Sequence, residues 1–240
     1  MRKRLSKWLC GSLALSTLTL SGCMMHKPDG TVNDDPFERY NRAAFAFNMD
    51  VDHLVLGPVA KVYDKITPAP LQTGIRNVFD NIDEIPTFPN DFMQGNFRYM
   101  VVDVWRFAIN TTLGVAGLFD VATRLGIHPH VETFGLTLAK WRGGQSSPYF
   151  VIPILGPATV QNGMGYAADF YMSIWPYFSN LTTYSAWGLR FMDIRAQMLP
   201  ADKLIETSFD PYVFVRDAYL QTQDQKIAAN QNLSKIPQGK

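Results

Sequence analysis

Residues 35–48 read DPFERYNRAAFAFN, and their spacing carries the reading of the fold. Asp35 offers an N-cap carboxylate, Pro36 suits the first helical position and Glu38 the third, which together make a helix start. Phe37, Tyr40, Ala44 and Phe47 then recur at three- and four-residue intervals as one apolar stripe. The same pattern recurs downstream. From Pro70, the positions Leu71, Ile75, Val78 and Ile82 form a second stripe, with Asp80, Asp83 and Glu84 mostly on other faces, and Ile85-Pro86 predicts its end.

After the punctuation of Pro89 and Gly95, residues 96–112 are apolar around most of their girth, with Met100, Val101, Val104, Trp105, Phe107, Ala108 and Ile109. That composition predicts a central helix. Gly114 and Gly117 close it, short helical pieces are expected over 118–125 and 132–141, and longer ones over about 159–174, 183–198 and 210–229. The last begins Asp210-Pro211-Tyr212, and its likeness to Asp35-Pro36-Phe37 reads as convergent capping, because the flanking residues do not continue to match. No strand-turn-strand pattern recurs, so the expected fold is all-α, one domain of amphipathic helices over residues 35–230.

One segment resists the helical reading. Residues 146–157, SSPYFVIPILGP, are apolar, broken by proline and too short to span a bilayer as a helix, which takes roughly 20 residues. The spacing predicts an apolar loop or a short broken element. Two readings stand: a buried cap on a core, or a surface kept apolar because lipid passes beside it.

The N-terminus speaks for export. Arg2, Lys3, Arg4 and Lys7 precede an uncharged stretch from Trp8 to Leu20, which is a secretory signal. Leu20-Ser21-Gly22-Cys23 matches the lipobox of bacterial lipoproteins, so residues 1–22 are expected to be removed and Cys23 lipidated. Met24 in place of Asp favours the outer membrane. Residues 23–34 read as a polar tether and 231–240 as a polar tail. Cys10 leaves with the signal and Cys23 is taken by lipid, so no internal disulfide is available. Cleavage takes four of the 22 basic residues and none of the 21 acidic ones, leaving a net charge of −3. There is no basic stripe for nucleic acid and no Lys/Arg cluster for an electrostatic membrane contact.

Enzyme motifs are missing: no Gly-x-Ser-x-Gly, no His-Glu-x-x-His, no phosphate-cradling loop. His128-Pro129-His130 presents two imidazoles, but proline restricts them and no further ligand motif completes a set, so a surface loop is expected and no metal. Asp80 and Glu84, one turn apart, read as a solvated face rather than an acid-base pair. Trp105, Trp141, Trp175 and Trp187 suit either a core or an interfacial belt, and the lipid anchor tilts the reading toward the belt.

Four blocks, DPFERYNRAAFAFN at 35–48, NTTLGVAGLFDVA at 110–122, PYFVIPILGP at 148–157 and DPYVFVRDAYL at 210–220, occur in order behind the lipobox, and the chain from about Asp35 to Asn230 resembles the VacJ/MlaA outer-membrane lipoproteins. That resemblance implies a ring-shaped, all-helical protein lying in the plane of the membrane on its periplasmic side and bound to a trimeric porin. It also implies a function: removing mislocalised phospholipid from the outer leaflet through an amphipathic channel and handing it to a periplasmic lipid carrier. No cofactor is implied and no covalent chemistry is needed. The alternatives are a lipoprotein that scaffolds porins without moving lipid and, more weakly, a phospholipase. The residues expected at the channel are the hinge glycines Gly143 and Gly144 with Tyr149, Phe150, Ile152, Pro153, Gly156 and Pro157. The sequence departs from the family pattern at Lys140-Trp141-Arg142, in AKWRGGQSS, and at Gln161-Asn162.

Overall fold

The computed structural model describes residues 35–235, with side chains to residue 232. The expectations for the signal, for Cys23 and for the tether therefore lie outside the described residues. Helix α1 spans Glu38–Val51, a π-helical turn Asp52–Leu56 follows, and α2 covers Gly57–Ile66. Helices α3, Ala69–Gln94, and α4, Phe97–Thr112, form a tight pair. The short α5, Val121–Arg124, and α6, Phe134–Trp141, lead to two strands, β1 Tyr149–Ile152 and β2 Gly156–Thr159. Then come α7, Val160–Met172, a 3₁₀ turn Trp175–Tyr177, α8, Asn180–Thr207, and α9, Pro211–Lys235. The architecture is helical, and among the described residues no helix is long and apolar enough to cross a membrane.

Two helices outrun their prolines. The end expected at Ile85-Pro86 is not there: α3 continues through Pro86 and Pro89 to Gln94. Each proline removes a helical donor, but Thr87 donates to the Asp83 carbonyl at 2.9 Å and Asn90 to the Pro86 carbonyl at 2.8 Å. Asn90 also donates to Asp169 on α7 at 2.9 Å, so tertiary bonds hold the stretch where propensity alone would end it. Helix α8 likewise runs past Pro200 to Thr207.

The segment expected as a broken loop is an antiparallel hairpin. Its register pairs Tyr149 with Thr159, Phe150 with Ala158, Val151 with Pro157 and Ile152 with Gly156. The outward N–H of Val151 is taken by Asn41 Oδ1 at 2.9 Å, so Val151 and Pro157 form a non-hydrogen-bonded pair, and the donor that proline lacks is not needed by the ladder. Asn41 Nδ2 donates to the Tyr149 carbonyl at 3.2 Å, Asn48 Nδ2 to the Ile152 carbonyl at 3.0 Å, and the Ile154 N–H to Asn48 Oδ1 at 2.6 Å. Two asparagines, seven residues and two turns apart on α1, thus dock the edge of β1 as a strand would. Tyr149, Val151, Ala44 and Tyr212 form the core beneath, with Phe45, Val213, Tyr219 and Leu220 packed around them.

The Asp-Pro blocks also differ from expectation. Helix α1 starts at Glu38 without a side-chain cap. Asp35 is buried, accepts from Asn41 at 2.7 Å and from the Tyr212 hydroxyl, and meets Arg216 at 3.4 Å. Asp210 does cap α9, accepting the Val213 N–H at 3.2 Å, while Arg42 grips it with two nitrogens at 2.9 and 3.3 Å. The two blocks are therefore contact partners: the carboxylate of each meets an arginine of the other helix.

Candidate functional site

Helix α4 shows how the molecule is organised. Its buried residues are Asp103, Arg106 and Asn110, which follow one another at i, i+3 and i+7 and so share a face. Val101, Val104 and Trp105 are exposed, Trp105 at 61%. The central apolar helix read from the sequence is thus turned inside out, with its polar stripe inward. Helix α3 behaves the same way, burying Asn81, Glu84, Thr87, Asn90, Asp91 and Gln94 while Leu71 is half exposed.

The inversion extends over the described residues. Buried polar and charged side chains outnumber buried apolar ones, and nearly half of the latter are alanines. Large apolar side chains stand outside instead, among them Leu54, Ile66, Leu113, Leu181 and Leu204, each more than 60% exposed. An ordinary water-soluble domain keeps its large apolar groups inside, and a large exposed apolar surface marks contact with membrane or protein. Of the four tryptophans among the described residues, Trp105, Trp141 and Trp187 are exposed and Trp175 is core.

Between α3 and α4 lies a polar cavity of about 180 Å³, lined from α3 by Asn77 to Thr87, from α4 by Arg106 and Asn110, and closed by Asp120 and Pro129-His130-Val131. Glu84 and Arg106, both almost fully buried, pair at 2.8 Å. Arg106 continues to Thr123 Oγ1 at 3.1 Å and to the Ile127 carbonyl. Burial pushes the Glu84 carboxyl upward and the Arg106 partnership pulls it back. The solvated Asp80-Glu84 face read from the sequence is therefore half wrong, since Glu84 is an interior ion-pair member. Asp80 opens to the cavity, where burial and the nearby Asp83 raise its pKa. Asp83 is held by Arg190 of α8, with one contact at 2.8 Å.

His130 also departs from expectation. His128 is exposed, but His130 sits between buried carboxylates, with Nε2 3.2 Å from Asp91 and Nδ1 3.0 Å from Asp103. Burial works against its positive charge, but the two carboxylates outweigh that and raise its pKa to about 10. Further along, Glu132 accepts from Gln94 at 3.0 Å and from Asn230 of α9 at 2.7 Å, so the polar interior reaches the last helix.

The channel residues named from the sequence cluster at the hairpin and its approach. Tyr149 is fully buried, edge-on to Tyr212 and Tyr219. Phe150 stacks on Tyr40 with ring centroids 5.2 Å apart. Ile152 is half-buried, Pro153 exposed, Gly156 and Pro157 half-buried. The hairpin tip presents Ile154 and Leu155, both more than half exposed, with Ile154 at φ 70°, a conformation that costs a β-branched residue strain. Gly143 and Gly144 have φ of 77° and 80°, which favours glycine; a Cβ on Gly144 would run into Gln231.

Both departures from the family pattern have structural work. Lys140 donates to Asn96 Oδ1 at 3.0 Å and Trp141 to the Met93 carbonyl at 3.3 Å, tying α6 to the α3–α4 turn. Asn162 donates to the Tyr219 hydroxyl at 2.7 Å and to Gln223 at 3.0 Å, and the Gln161 N–H to Ser147 Oγ at 2.9 Å, fixing the hairpin's exit to α9. The polar interior itself was missed from the sequence, although its signal is there: Asn77, Asn81 and Glu84 on α3, and Asp103, Arg106 and Asn110 on α4, each recur on one helical face.

The chain is similar in sequence and fold to known proteins. A solved structure described as "Structural basis for maintenance of bacterial outer membrane lipid asymmetry" superposes with a TM-score of 0.71 at 33% identity, covering 80% of this chain and 98% of that one. The "Intermembrane phospholipid transport system lipoprotein MlaA" of Shigella flexneri is 35% identical over 233 residues, 93% of this chain and 88% of that one. Its Escherichia coli K12 counterpart is 34% identical over 230 residues with the same coverage of both chains, and the protein of that name from Haemophilus influenzae is 30% identical over 221 residues, 89% of this chain and 88% of that one. The family model of the MlaA lipoproteins matches residues 33–226, and the chain belongs to that family.

Proposed function

We propose that this chain is an outer-membrane lipoprotein, anchored through Cys23 on the periplasmic side, that removes mislocalised phospholipid from the outer leaflet and passes it to a periplasmic lipid carrier. The observation that carries this is the inverted distribution of polarity: apolar helix faces turned outward, carboxylates, amides and arginines turned inward. A phospholipid has a charged head and two apolar tails, so its route needs walls of both kinds. Helices with an apolar outer face and a polar inner one supply them without crossing the bilayer. Names of relatives that specify intermembrane phospholipid transport support the same reading.

In this account a trimeric porin covers part of the exposed apolar surface. The hairpin lies beside the route, with Tyr149 as its buried root, Phe150, Ile152 and Pro153 toward the lipid, and Gly143-Gly144 and Gly156-Pro157 shaping its two ends. Transfer breaks no covalent bond, so the function is transport rather than catalysis.

Cells lacking the protein are expected to accumulate phospholipid in the outer leaflet, read out by an enzyme that acylates surface phospholipid, and the purified protein in mild detergent is expected to carry intact phospholipid on thin-layer analysis. An unchanged outer leaflet with impaired porin assembly would make the protein a scaffold. Lysolipid and free fatty acid in place of intact lipid would make it a hydrolase.

A further inference from the structure

We propose that Asp91, Asp103 and His130 form a binding site for a divalent transition-metal cation, zinc first among them, with His130 between the two buried carboxylates and the cavity it lines. The three residues come from separate places, α3, α4 and the loop before α6, and each offers a ligating atom within 4.8 Å of the others'. Asp91 and Asp103 are fully buried and the His130 side chain is 15% exposed.

The reason lies in atoms that secondary and tertiary structure leave without hydrogen bonds. Buried polar atoms are nearly always bonded, yet both carboxylate oxygens of Asp103, Asp91 Oδ2 and His130 Nδ1 have no hydrogen-bond partner among the described residues. These atoms are neighbours in one cluster. His130 Nδ1 lies 3.0 Å from Asp103 Oδ1 and Nε2 3.2 Å from Asp91 Oδ2, ion contacts of the protonated ring that a bound cation would replace. One ion takes one imidazole nitrogen, either Nδ1 beside Asp103 or Nε2 beside Asp91, and one oxygen of each carboxylate lies within 4.8 Å of it. The unbonded atoms are closed to water-sized solvent, whereas a bare metal ion is smaller than a water molecule.

Charge points the same way. A protonated His130 neutralises one of its two carboxylates. A dication beside a neutral ring neutralises both. The neighbouring cations are committed elsewhere: Arg106 to Glu84 at 2.8 Å and Lys140 to Asn96 Oδ1 at 3.0 Å. The donor set of one imidazole and two carboxylates, with no thiolate, suits Zn²⁺ or Mn²⁺ and excludes the soft-ligand preference of Cu(I). Tyr99 covers the imidazole with its ring centroid 4.9 Å away, and His130 lines the cavity, which gives the ion a way in.

The test is calorimetric titration of Zn²⁺ into the chelator-treated, full-length protein in mild detergent, with thermal unfolding and the visible spectrum of the Co²⁺ form alongside. Wild type should bind one equivalent, melt at a higher temperature with Zn²⁺, and give Co²⁺ d–d bands. Asp103→Asn and His130→Gln should each weaken binding by at least about 10–100-fold, the loss typical even of an outer-shell partner, and abolish the shift in melting temperature. His128→Gln should behave as wild type. If Asp103→Asn fails to fold, His130→Gln and the wild-type Co²⁺ spectrum decide. Absence of saturable binding in wild type overturns the proposal, as does binding that survives both substitutions or that is lost with His128→Gln.

Discussion

Asn41 pairs with the backbone at Val151 as a strand residue would, accepting the Val151 N–H at 2.9 Å while its own amide donates to the Tyr149 carbonyl at 3.2 Å. Its amide also donates to Asp35 at 2.7 Å. Asn41→Leu fills similar space but leaves a buried N–H and a buried carbonyl unbonded, each costing about 1–3 kcal/mol. Thermal unfolding in detergent should register a loss of that order, whereas the exposed neighbour Arg39→Gln should shift stability by less than about 0.5 kcal/mol.

Trp105 and Arg106 are adjacent in the chain and opposite in role. Trp105 is exposed, while Arg106 is buried against Glu84 at 2.8 Å. Arg106→Met should cost about 3–5 kcal/mol by stranding the Glu84 carboxylate. Trp105→Gln should leave stability in detergent nearly unchanged and reduce partition into lipid vesicles, read by flotation.

Helices α6 and α7 touch through backbone. A Cβ on Gly165 would stand 2.6 Å from the Gly135 nitrogen, so Gly165→Ala must push the helices apart, at about 1–3 kcal/mol. Gly188, inside α8 with nothing near its Cβ position, is the control. Gly188→Ala should be neutral or stabilising by up to about 1 kcal/mol, so only the Gly165→Ala melting temperature should fall.

The Arg42–Asp210 pair gives a pH signature. The Arg42 hydrogen bonds hold the Asp210 carboxyl below its usual pKa. A folded pKa below the unfolded value, about 3.9, gives stability that is complete above that value and is lost as pH falls through the folded one. Asp210→Asn should remove this part of the acid sensitivity, seen as a smaller fall in melting temperature on acidification below about pH 4.

The hairpin residue Ile152 separates core from channel. Half-buried and next to the exposed Pro153, it should accept Ile152→Asp with the protein still folded and membrane-bound but moving lipid poorly, measured as outer-leaflet phospholipid in complemented cells. Degradation of the variant would place Ile152 in a packed core instead.

Periodicity made the helices legible because three- and four-residue spacing holds whichever side faces water. It could not say which side that is. The apolar girth of residues 96–112 predicts a central helix, yet its Val101, Val104 and Trp105 are exposed, as are Phe37, Tyr40 and Phe47 of the first stripe. Helix ends failed at Pro86 and Pro200 for a related reason: long-range bonds such as Asn90 to Asp169 are invisible in local sequence. The hairpin is hidden because its strands are only four residues each, with Pro157 inside β2, and the outer edge of β1 is held by asparagine side chains about a hundred residues upstream. His130 looked like a loop histidine because its carboxylates lie on α3 and α4.

The central claim is that the apolar exterior faces lipid while the interior is shielded from it. Its most direct measurement is fluorescence quenching of single-tryptophan variants in bilayers whose acyl chains carry bromine, which quenches only indoles in contact with the hydrocarbon. Trp105, 61% exposed, should be strongly quenched, and Trp175, 6% exposed, should be spared. The contrary result is a Trp105 untouched by brominated chains but quenched by aqueous iodide, which would place that face in water.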